Sequence, residues 1–197
     1  MNLPNLLTLS RIALTPLFLG MLFAESWYLR SSACVVFAIA SLTDFYDGRL
    51  ARSKHVETDF GRFMDPLADK ILVTSALVAL VWSRLVHVWL VAPIVVRDIV
   101  ITAMRAHAAY RGRPLETTRL AKWKTMTQLV TVIIILFVAG LQETLGRFGS
   151  PTGTAPEWTW LPFLSNGLMG TVLVLTLLSG LHYFLPILRF SRRRFLP

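Results

Sequence analysis

The sequence predicts an all-α integral membrane protein: six transmembrane helices with a short N-terminal interfacial helix, forming a single domain over residues 1–197. Three observations lead to this fold class. Apolar residues make up 54% of the chain and the mean hydropathy is +0.58, and the apolar residues fall in long runs, as is typical of membrane proteins. Arginine and lysine concentrate in every second connection between those runs. Four aspartates stand in two pairs, where the second run ends and the third begins.

The first ten residues have no charged side chain, and their leucines Leu3, Leu6, Leu7 and Leu9 predict a short helix in the membrane interface. Six apolar runs follow, and each is long enough to cross a bilayer when its flanking residues are included. The runs cover residues 12–24, 31–43, 65–82, 86–103, 126–141 and 168–188.

The basic residues predict how these crossings are oriented. The termini and connections on one side hold most of them, namely Arg49, Arg52, Lys54, Arg62, Arg105, Arg111, Arg113, Arg119, Lys122, Lys124, Arg189, Arg192, Arg193 and Arg194. The other side holds Arg30, Arg84 and Arg147. The positive-inside rule then places both termini and the acidic pairs on the cytoplasmic side of the cell membrane. Since the charge is confined to loops, its expected partners are anionic lipids and phosphate substrates, and no nucleic acid is expected.

The acidic pairs carry the main functional signal. Asp44 and Asp47 are three residues apart, Asp65 and Asp69 are four apart, and on a helix either spacing places both carboxylates on one face. Ionised groups at the ends of membrane segments are costly and indicate function by default. Clustered carboxylates repel one another unless cations lie between them, and hard divalent ions such as Mg²⁺ or Mn²⁺ take oxygen ligands. The pattern therefore predicts a phosphoryl-transfer site with two metal ions.

The acidic pairs have two alternative interpretations. In the first, the carboxylates only cap helices and pair with nearby arginines, but Asp44 and Asp47 end a helix, where the helix dipole disfavours anions. In the second, the protein is a small cation transporter, whose acidic residues would lie near the bilayer midplane. Here the pairs cluster on one side together with Gly48 and Gly61, and glycine lets a ligand approach the backbone closely. This grouping favours a nucleotide site.

The acidic stretch resembles the full signature of the CDP-alcohol phosphotransferases, with every position and spacing present. It reads Asp44-x-x-Asp47-Gly48-x-x-Ala51-Arg52, then eight residues, then Gly61-x-x-x-Asp65-x-x-x-Asp69.

Further segments resemble the bacterial phosphatidylglycerophosphate synthases of that family. The opening Asn2-Leu-Pro-Asn5-Leu-Leu-Thr8-Leu-Ser-Arg11 is similar to theirs. Lys122-Trp-Lys124-Thr125 resembles their Gly-Lys-x-Lys-Thr motif with Ala121 in place of glycine, and Arg97-Asp98 resembles their Arg-Glu pair. The similarity extends from the start of the chain to about residue 125.

The resemblance implies a six-helix membrane enzyme, often a homodimer, that transfers a phosphatidyl group from CDP-diacylglycerol to glycerol 3-phosphate and releases CMP. It implies that Asp44, Asp47, Asp65 and Asp69 hold two Mg²⁺ or Mn²⁺ ions, and that Asp69 also takes the proton of the acceptor hydroxyl. The residues it implies for contact with the CDP-lipid are Thr8, Gly48, Arg52, Thr58 and Gly61. Phosphatidylglycerol, inositol phosphate or another alcohol stays open as the acceptor within the same chemistry.

The acceptor's phosphate needs cations on the side of the carboxylates. The candidates are Arg97, Arg105, Arg119, Lys122 and Lys124. Arg97 and Arg105 are eight residues apart on about one helix face, and a buried arginine needs an anion, which a substrate phosphate would supply. The alternative for the basic connection as a whole is that it serves only to orient the chain in the membrane.

Overall fold

A computed structural model describes the backbone of residues 3–54, 59–110, 119–149 and 158–193, and the side chains of residues 10–43, 70–108, 120–146, 148 and 158–181. The described residues form six α-helices and no β-strand. The helices are α1 (Leu3–Leu22), α2 (Trp27–Lys54), α3 (Asp59–Trp82), α4 (Val88–Tyr110), α5 (Arg119–Gly149) and α6 (Leu161–Arg193).

Each apolar run of the sequence corresponds to one of these helices, so the six long helices occur in the predicted order. The shortest helix has 20 residues, which at 1.5 Å per residue is about 30 Å, the thickness of a bilayer's hydrocarbon core. The short N-terminal helix is not a separate element, because α1 runs without a break from Leu3 to Leu22. Pro4 lies in the first turn of α1, where the missing N–H has no helical partner to lose.

The helices are arranged as a closed ring in the order α1, α2, α5, α6, α4, α3, with α3 also approaching α5 across the middle. Each helix contributes at least one apolar side chain to the core, and each of those named here is no more than 1% exposed. They are Phe18, Phe37, Leu77, Ile94, Ile135 and Met169. Neighbours in the ring are therefore often distant in sequence, and the core depends on helices from both halves of the chain.

Contacts between the helices show that they alternate in direction. The start of α2 lies against the end of α5, where Ser31 Oγ donates to Gly140 O at 3.1 Å. The turn before α4 meets the start of α6, where the His87 backbone N–H donates to Asn166 Oδ1 at 2.8 Å. One end of the bundle thus gathers the starts of the even-numbered helices. At the other end α2 ends and α3 begins, and we call this the acidic end because it carries the four aspartates.

The outward surface of the bundle is apolar on every helix. Six side chains, one from each helix, are at least half exposed: Leu17, Ile39, Val78, Val96, Phe137 and Leu177. In soluble proteins exposed apolar patches of this kind are rare. Within the described residues, two segments, Leu120–Gly146 and Leu161–Leu181, have the length and hydropathy needed to cross a membrane. The surface therefore suits lipid, and the protein is expected to associate with a membrane.

The turn between α3 and α4 is tight and is closed by backbone hydrogen bonds. The Arg84 N–H donates to Val81 O and the Leu85 N–H donates to Leu80 O, both at 3.0 Å, which is the pattern of a Schellman motif. Arg84 occupies the position usually taken by glycine, with φ of 56°. An L-residue with a side chain is strained in this conformation, so the turn is held by its hydrogen bonds and by the buried Val86.

Candidate active site

The four predicted metal ligands lie on the two helices that meet at the acidic end. Asp44 and Asp47 are in the last part of α2, Asp65 and Asp69 are in the first part of α3, and only residues 55–58 separate these helices. Their side chains are outside the described residues, as are the side chains of the CDP-lipid candidates Thr8 and Arg52 and the whole of Thr58. The candidates Gly48 and Gly61, which have no side chain, lie on α2 and α3. The backbone brings both acidic pairs to one end of the bundle, while the roles of these nine residues stay predictions.

The donor set fits the predicted ions. Four carboxylates offer only oxygen atoms, which Mg²⁺ and Mn²⁺ prefer over nitrogen or sulfur. Among the described side chains, no group of three or more His, Cys, Asp or Glu residues lies close enough to hold a metal. The structure therefore offers no competing metal site in that part of the chain, and the four aspartates remain the candidates.

A buried ionic cluster, which we call the Asp98 cluster, joins α3, α4 and α5. Lys124 Nζ donates to both carboxylate oxygens of Asp98, at 2.6 Å and 2.5 Å. Arg97 Nη1 donates to Asp98 Oδ1 at 3.1 Å, and Lys70 Nζ lies 3.6 Å from Asp98 Oδ2. Because Lys70 directly follows Asp69 in the sequence, the cluster lies next to the helical turn that carries the predicted base.

Helix α6 completes the surroundings of Arg97. Arg97 Nη2 donates to Ser179 Oγ at 2.7 Å, and the Ser179 hydroxyl donates to Thr176 O at 3.0 Å. A Cβ placed on Gly180 would lie 3.6 Å from Arg97 Cγ, so the arginine side chain packs against the α6 backbone at this glycine. Arg97 Nε is buried and has no hydrogen-bond partner among the described residues. The guanidinium is thus fixed through two of its three nitrogens.

The charge of the Asp98 cluster is unbalanced among the described side chains. Three cations surround one carboxylate, so two positive charges remain. Asp98 is 4% exposed and Lys124 is 1% exposed, and burying charges costs several kcal/mol per ion unless they are well paired. An anion beside these cations would balance the described charges, and a phosphate monoester approaches two negative charges at neutral pH.

Further buried polar side chains lie along the same part of the bundle. Lys124, Gln128 and Thr131 follow one another along the first half of α5, and Ser179 lies in the second half of α6. Both of these halves are nearer the acidic end. Lys124 and Ser179 have hydrogen-bond partners here, whereas Gln128 Nε2 has none among the described residues. Polar groups in an apolar interior are expensive unless they are paired, and ionisable ones indicate function.

The five predicted acceptor-binding residues separate into three groups. Arg97 and Lys124 are brought together by the Asp98 cluster. Arg105 and Lys122 are exposed, and the side chain of Arg119 lies outside the described residues. The expected sharing of one environment by Arg97 and Arg105 is not seen, because the Arg97 side chain is only 13% exposed whereas Arg105 faces outward. The anion that a buried arginine needs is supplied in part by the protein itself, through Asp98.

Asp98 was named from the sequence only in the Arg97-Asp98 motif, and the contacts of Asp98, Lys70 and Ser179 were not predicted. Asp98 had a usable signal, since it is a lone carboxylate within the apolar run 86–103, where an ionisable group indicates function and needs a partner. Lys70 had a weaker signal, its position directly after Asp69. Ser179 had none, because a serine in an apolar helix is ordinary until its neighbour is known.

A second ion pair lies at the opposite end of the bundle. Arg30 Nη1 is 2.9 Å from Glu143 Oε1, and Arg30 Nη2 donates to Glu25 O at 3.1 Å. These residues border an open cavity of about 520 Å³, which is otherwise lined mostly by apolar side chains such as Phe23 and Trp82. The pair joins α2 to α5 near the surface, far along both helices from the acidic end.

Comparison with known proteins identifies close similarities over most of the chain. The sequence model of the family described as CDP-alcohol phosphatidyltransferase matches residues 1–181. The chain is 38% identical over 147 residues to a Bacillus subtilis protein named CDP-diacylglycerol–glycerol-3-phosphate 3-phosphatidyltransferase. The matched region covers 68% of this chain and 76% of the relative.

Two further relatives carry the same name. A Pseudomonas fluorescens protein is 39% identical over 142 residues, covering 69% of this chain and 72% of the relative. A Shigella flexneri protein is 31% identical over 188 residues, covering 92% of both chains. The similarity to this last protein takes in most of α6, which the sequence motifs did not reach.

Proposed function

The chain belongs to the CDP-alcohol phosphatidyltransferase family, and from this premise we propose that it transfers a phosphatidyl group from CDP-diacylglycerol to glycerol 3-phosphate, releasing CMP. The product is phosphatidylglycerophosphate, and the reaction belongs to phospholipid biosynthesis. The relatives' names support both substrates. The observation that carries the choice of a phosphorylated acceptor is the Asp98 cluster, which holds buried cations beside the helical turn of Asp69.

In the proposed mechanism the protein binds two anionic substrates and moves one proton. Asp44, Asp47, Asp65 and Asp69 would hold two divalent ions. When bound, these ions supply charge stabilisation for the diphosphate and the departing CMP. Asp69 takes the proton of the acceptor hydroxyl as that oxygen attacks the phosphorus bearing the diacylglycerol, and a base within hydrogen-bond reach typically contributes about 10²–10⁴-fold. The bond to CMP then breaks.

The remaining residues orient the substrates. Thr8, Gly48, Arg52, Thr58 and Gly61 are proposed to contact the CDP-lipid, with the glycines allowing close approach of the backbone. Arg97 and Lys124 are proposed to hold the acceptor's phosphate, through Arg97 Nε and the third proton of Lys124. Arg105, Arg119 and Lys122 would attract the acceptor from solution. Holding both substrates at one end of the bundle makes the reaction effectively unimolecular.

The proposed setting is the cytoplasmic membrane, crossed six times, with both termini and the acidic end in the cytoplasm. Apolar exposure on all six helices and the distribution of basic residues support this arrangement. We also propose a homodimer, as the resemblance implies. A reporter that is active only in the cytoplasm should work when fused after Pro197 and fail when inserted at Gly153. The reverse result would overturn the orientation.

The test of the function uses purified protein in detergent with radiolabelled CDP-diacylglycerol and Mg²⁺. Glycerol 3-phosphate, glycerol, inositol phosphate, serine and phosphatidylglycerol are offered separately, and the lipid product and released CMP are measured. The proposal expects labelled phosphatidylglycerophosphate with glycerol 3-phosphate and little product with glycerol, which lacks the phosphate. Cardiolipin formed from phosphatidylglycerol would instead establish a lipid acceptor. Absence of CMP release with every acceptor would contradict the transfer reaction.

A further inference from the structure

We propose that Asp98 and Ser179 are positioning residues, which fix Arg97 and Lys124 in the place where they bind the acceptor's phosphate. The inference rests on the proposed function and deepens it, because it assigns the specificity for a phosphorylated acceptor to two residues that are not cationic themselves. Asp98 lies on α4, whereas Ser179 lies on α6, beyond the part of the chain in which the motifs are found.

The geometry of Arg97 shows why two anchors are needed. Asp98 Oδ1 accepts from Nη1 and Ser179 Oγ accepts from Nη2, so the guanidinium plane is defined by contacts to two different helices. A guanidinium held at only one nitrogen can rotate about its side-chain torsions, and the long arginine side chain has much rotamer entropy to lose. With both anchors present, this loss occurs on folding and not on binding of the acceptor.

The geometry of Lys124 gives Asp98 a second role. Both carboxylate oxygens accept hydrogen bonds from Lys124 Nζ, which is buried near the start of α5. An isolated buried ammonium would lose its proton or move toward water. Asp98 therefore keeps Lys124 charged and inside the bundle, and it holds the lysine beside Arg97. One carboxylate is sufficient for this, and it leaves the positive charge of the cluster in excess for the acceptor.

Lys70 connects this arrangement to the chemistry. Its Nζ lies 3.6 Å from Asp98 Oδ2, and its backbone is joined directly to that of Asp69. Asp98 is thus tied both to the phosphate-binding cations and to the helical turn of the proposed base. A positioning role at this point affects how tightly the acceptor's phosphate is held near Asp69, which a purely structural ion pair elsewhere would not do.

The test compares Asp98→Asn and Ser179→Ala with two controls. Ser165→Ala removes the hydroxyl of another fully buried serine on α6, near the opposite end, and Asp98→Glu retains the carboxylate. Initial rates are measured against each substrate with the other saturating, and thermal stability is measured in the same detergent. We expect Asp98→Asn to raise the apparent KM for glycerol 3-phosphate roughly tenfold to a hundredfold, and Ser179→Ala to raise it about fivefold.

The KM for CDP-diacylglycerol and kcat at saturating acceptor should stay within about threefold of wild type in both variants. Asp98→Glu should recover most of the acceptor affinity, and Ser165→Ala should leave both KM values unchanged. The inference would be overturned if the KM values for the two substrates rose equally. It would also be overturned if the acceptor KM were the same in Ser179→Ala and Ser165→Ala, a comparison that holds even if Asp98→Asn failed to fold. Wild-type protein that does not use glycerol 3-phosphate would instead overturn the proposed function.

Discussion

At both ends of the bundle, helices are joined by an ion pair between an arginine or lysine and a carboxylate. The two ends differ in how far these charges are exposed to solvent. At the opposite end, the side chains of Arg30 and Glu143 are 41% and 25% exposed. Within the Asp98 cluster, the side chains of Lys124 and Asp98 are 1% and 5% exposed. An exposed pair is typically worth about 0–1 kcal/mol, whereas removing one partner of a buried pair costs about 3–5 kcal/mol.

Packing explains the difference. Helices α2 and α5 are already held together near Arg30, because Gly140 lets Ser31 approach closely and Trp27 contacts the ring of Phe148 edge-on. The ion pair adds little to this contact. The Asp98 cluster replaces apolar packing that would be as stable or more stable, since buried ion pairs rarely improve on well-packed apolar side chains. The free-energy cost of burying these charges is understandable if they bind a substrate.

The largest expected effect is the loss of turnover on substitution of the proposed metal ligands, compared with a carboxylate at the opposite end. Asp44→Asn, Asp47→Asn and Asp65→Asn should each abolish turnover, because each removes a negative charge from the shared ion site. Glu143→Gln removes one charge at the opposite end and should retain nearly full turnover. The assay is CMP release with and without EDTA, which should inhibit the wild type reversibly. Undiminished activity in EDTA would rule out a metal-dependent mechanism.

The next effect distinguishes a base from a ligand. Asp69→Asn should reduce kcat by about 10²–10⁴-fold, because no base then takes the proton of the attacking hydroxyl. The loss should be greater if Asp69 also holds an ion. Binding of CDP-diacylglycerol, measured by equilibrium dialysis, should persist. Near-native kcat at saturating substrates would place the base elsewhere.

A smaller effect compares an arginine from each end. Arg97→Lys should raise the apparent KM for glycerol 3-phosphate roughly tenfold to a hundredfold, because lysine cannot reproduce the planar fork held by Asp98 and Ser179. Arg30→Lys is the matched control and should leave this KM unchanged. If both substitutions raised the acceptor KM equally, the two ends would not differ in function as proposed.

The smallest effect concerns stability alone. Arg84→Gly should stabilise the protein by about 1 kcal/mol, because glycine adopts the φ of 56° without the strain of a side chain. Its turn lies at the opposite end, so turnover should not change. Thermal unfolding in detergent measures the shift, and Ser83→Gly, one residue earlier in the same turn, is the control expected to lack the gain. A lower melting temperature for Arg84→Gly would show that the arginine side chain contributes more than the strain costs.

The sequence was sufficient for the helix count and the family, for clear physical reasons. Apolar runs of bilayer length are a strong and local signal, and the acidic signature occupies only 26 residues, from Asp44 to Asp69. Helix ends were less predictable. The predicted break after Ser10 does not occur, because helix continuity depends on backbone geometry and no glycine interrupts residues 3–19.

The Asp98 cluster and its contact to Ser179 were beyond the reach of sequence patterns, because the residues involved come from four helices. Lys124 is 26 positions from Asp98, and Ser179 is 82 positions from Arg97. The order of helices around the ring brings them together, and periodicity along one helix carries no information on that order. The sequence therefore predicts Arg97 as a cation in need of an anion and Lys124 as a phosphate-binding candidate, but it does not predict the carboxylate that the protein provides.

The ring order also bears on how the protein is made. Synthesis proceeds from the N-terminus, so Lys70 and Arg97 are already present when Asp98 is added, whereas Lys124 follows 26 residues later. At a usual rate of about 5–20 residues per second, this delay is ~1–5 s. During that interval α5 and α6 are absent and the ring is open. Lys70 on α3 and the neighbouring Arg97 both precede Lys124 in the order of synthesis, so Asp98 does not depend on α5 for its first cationic partners.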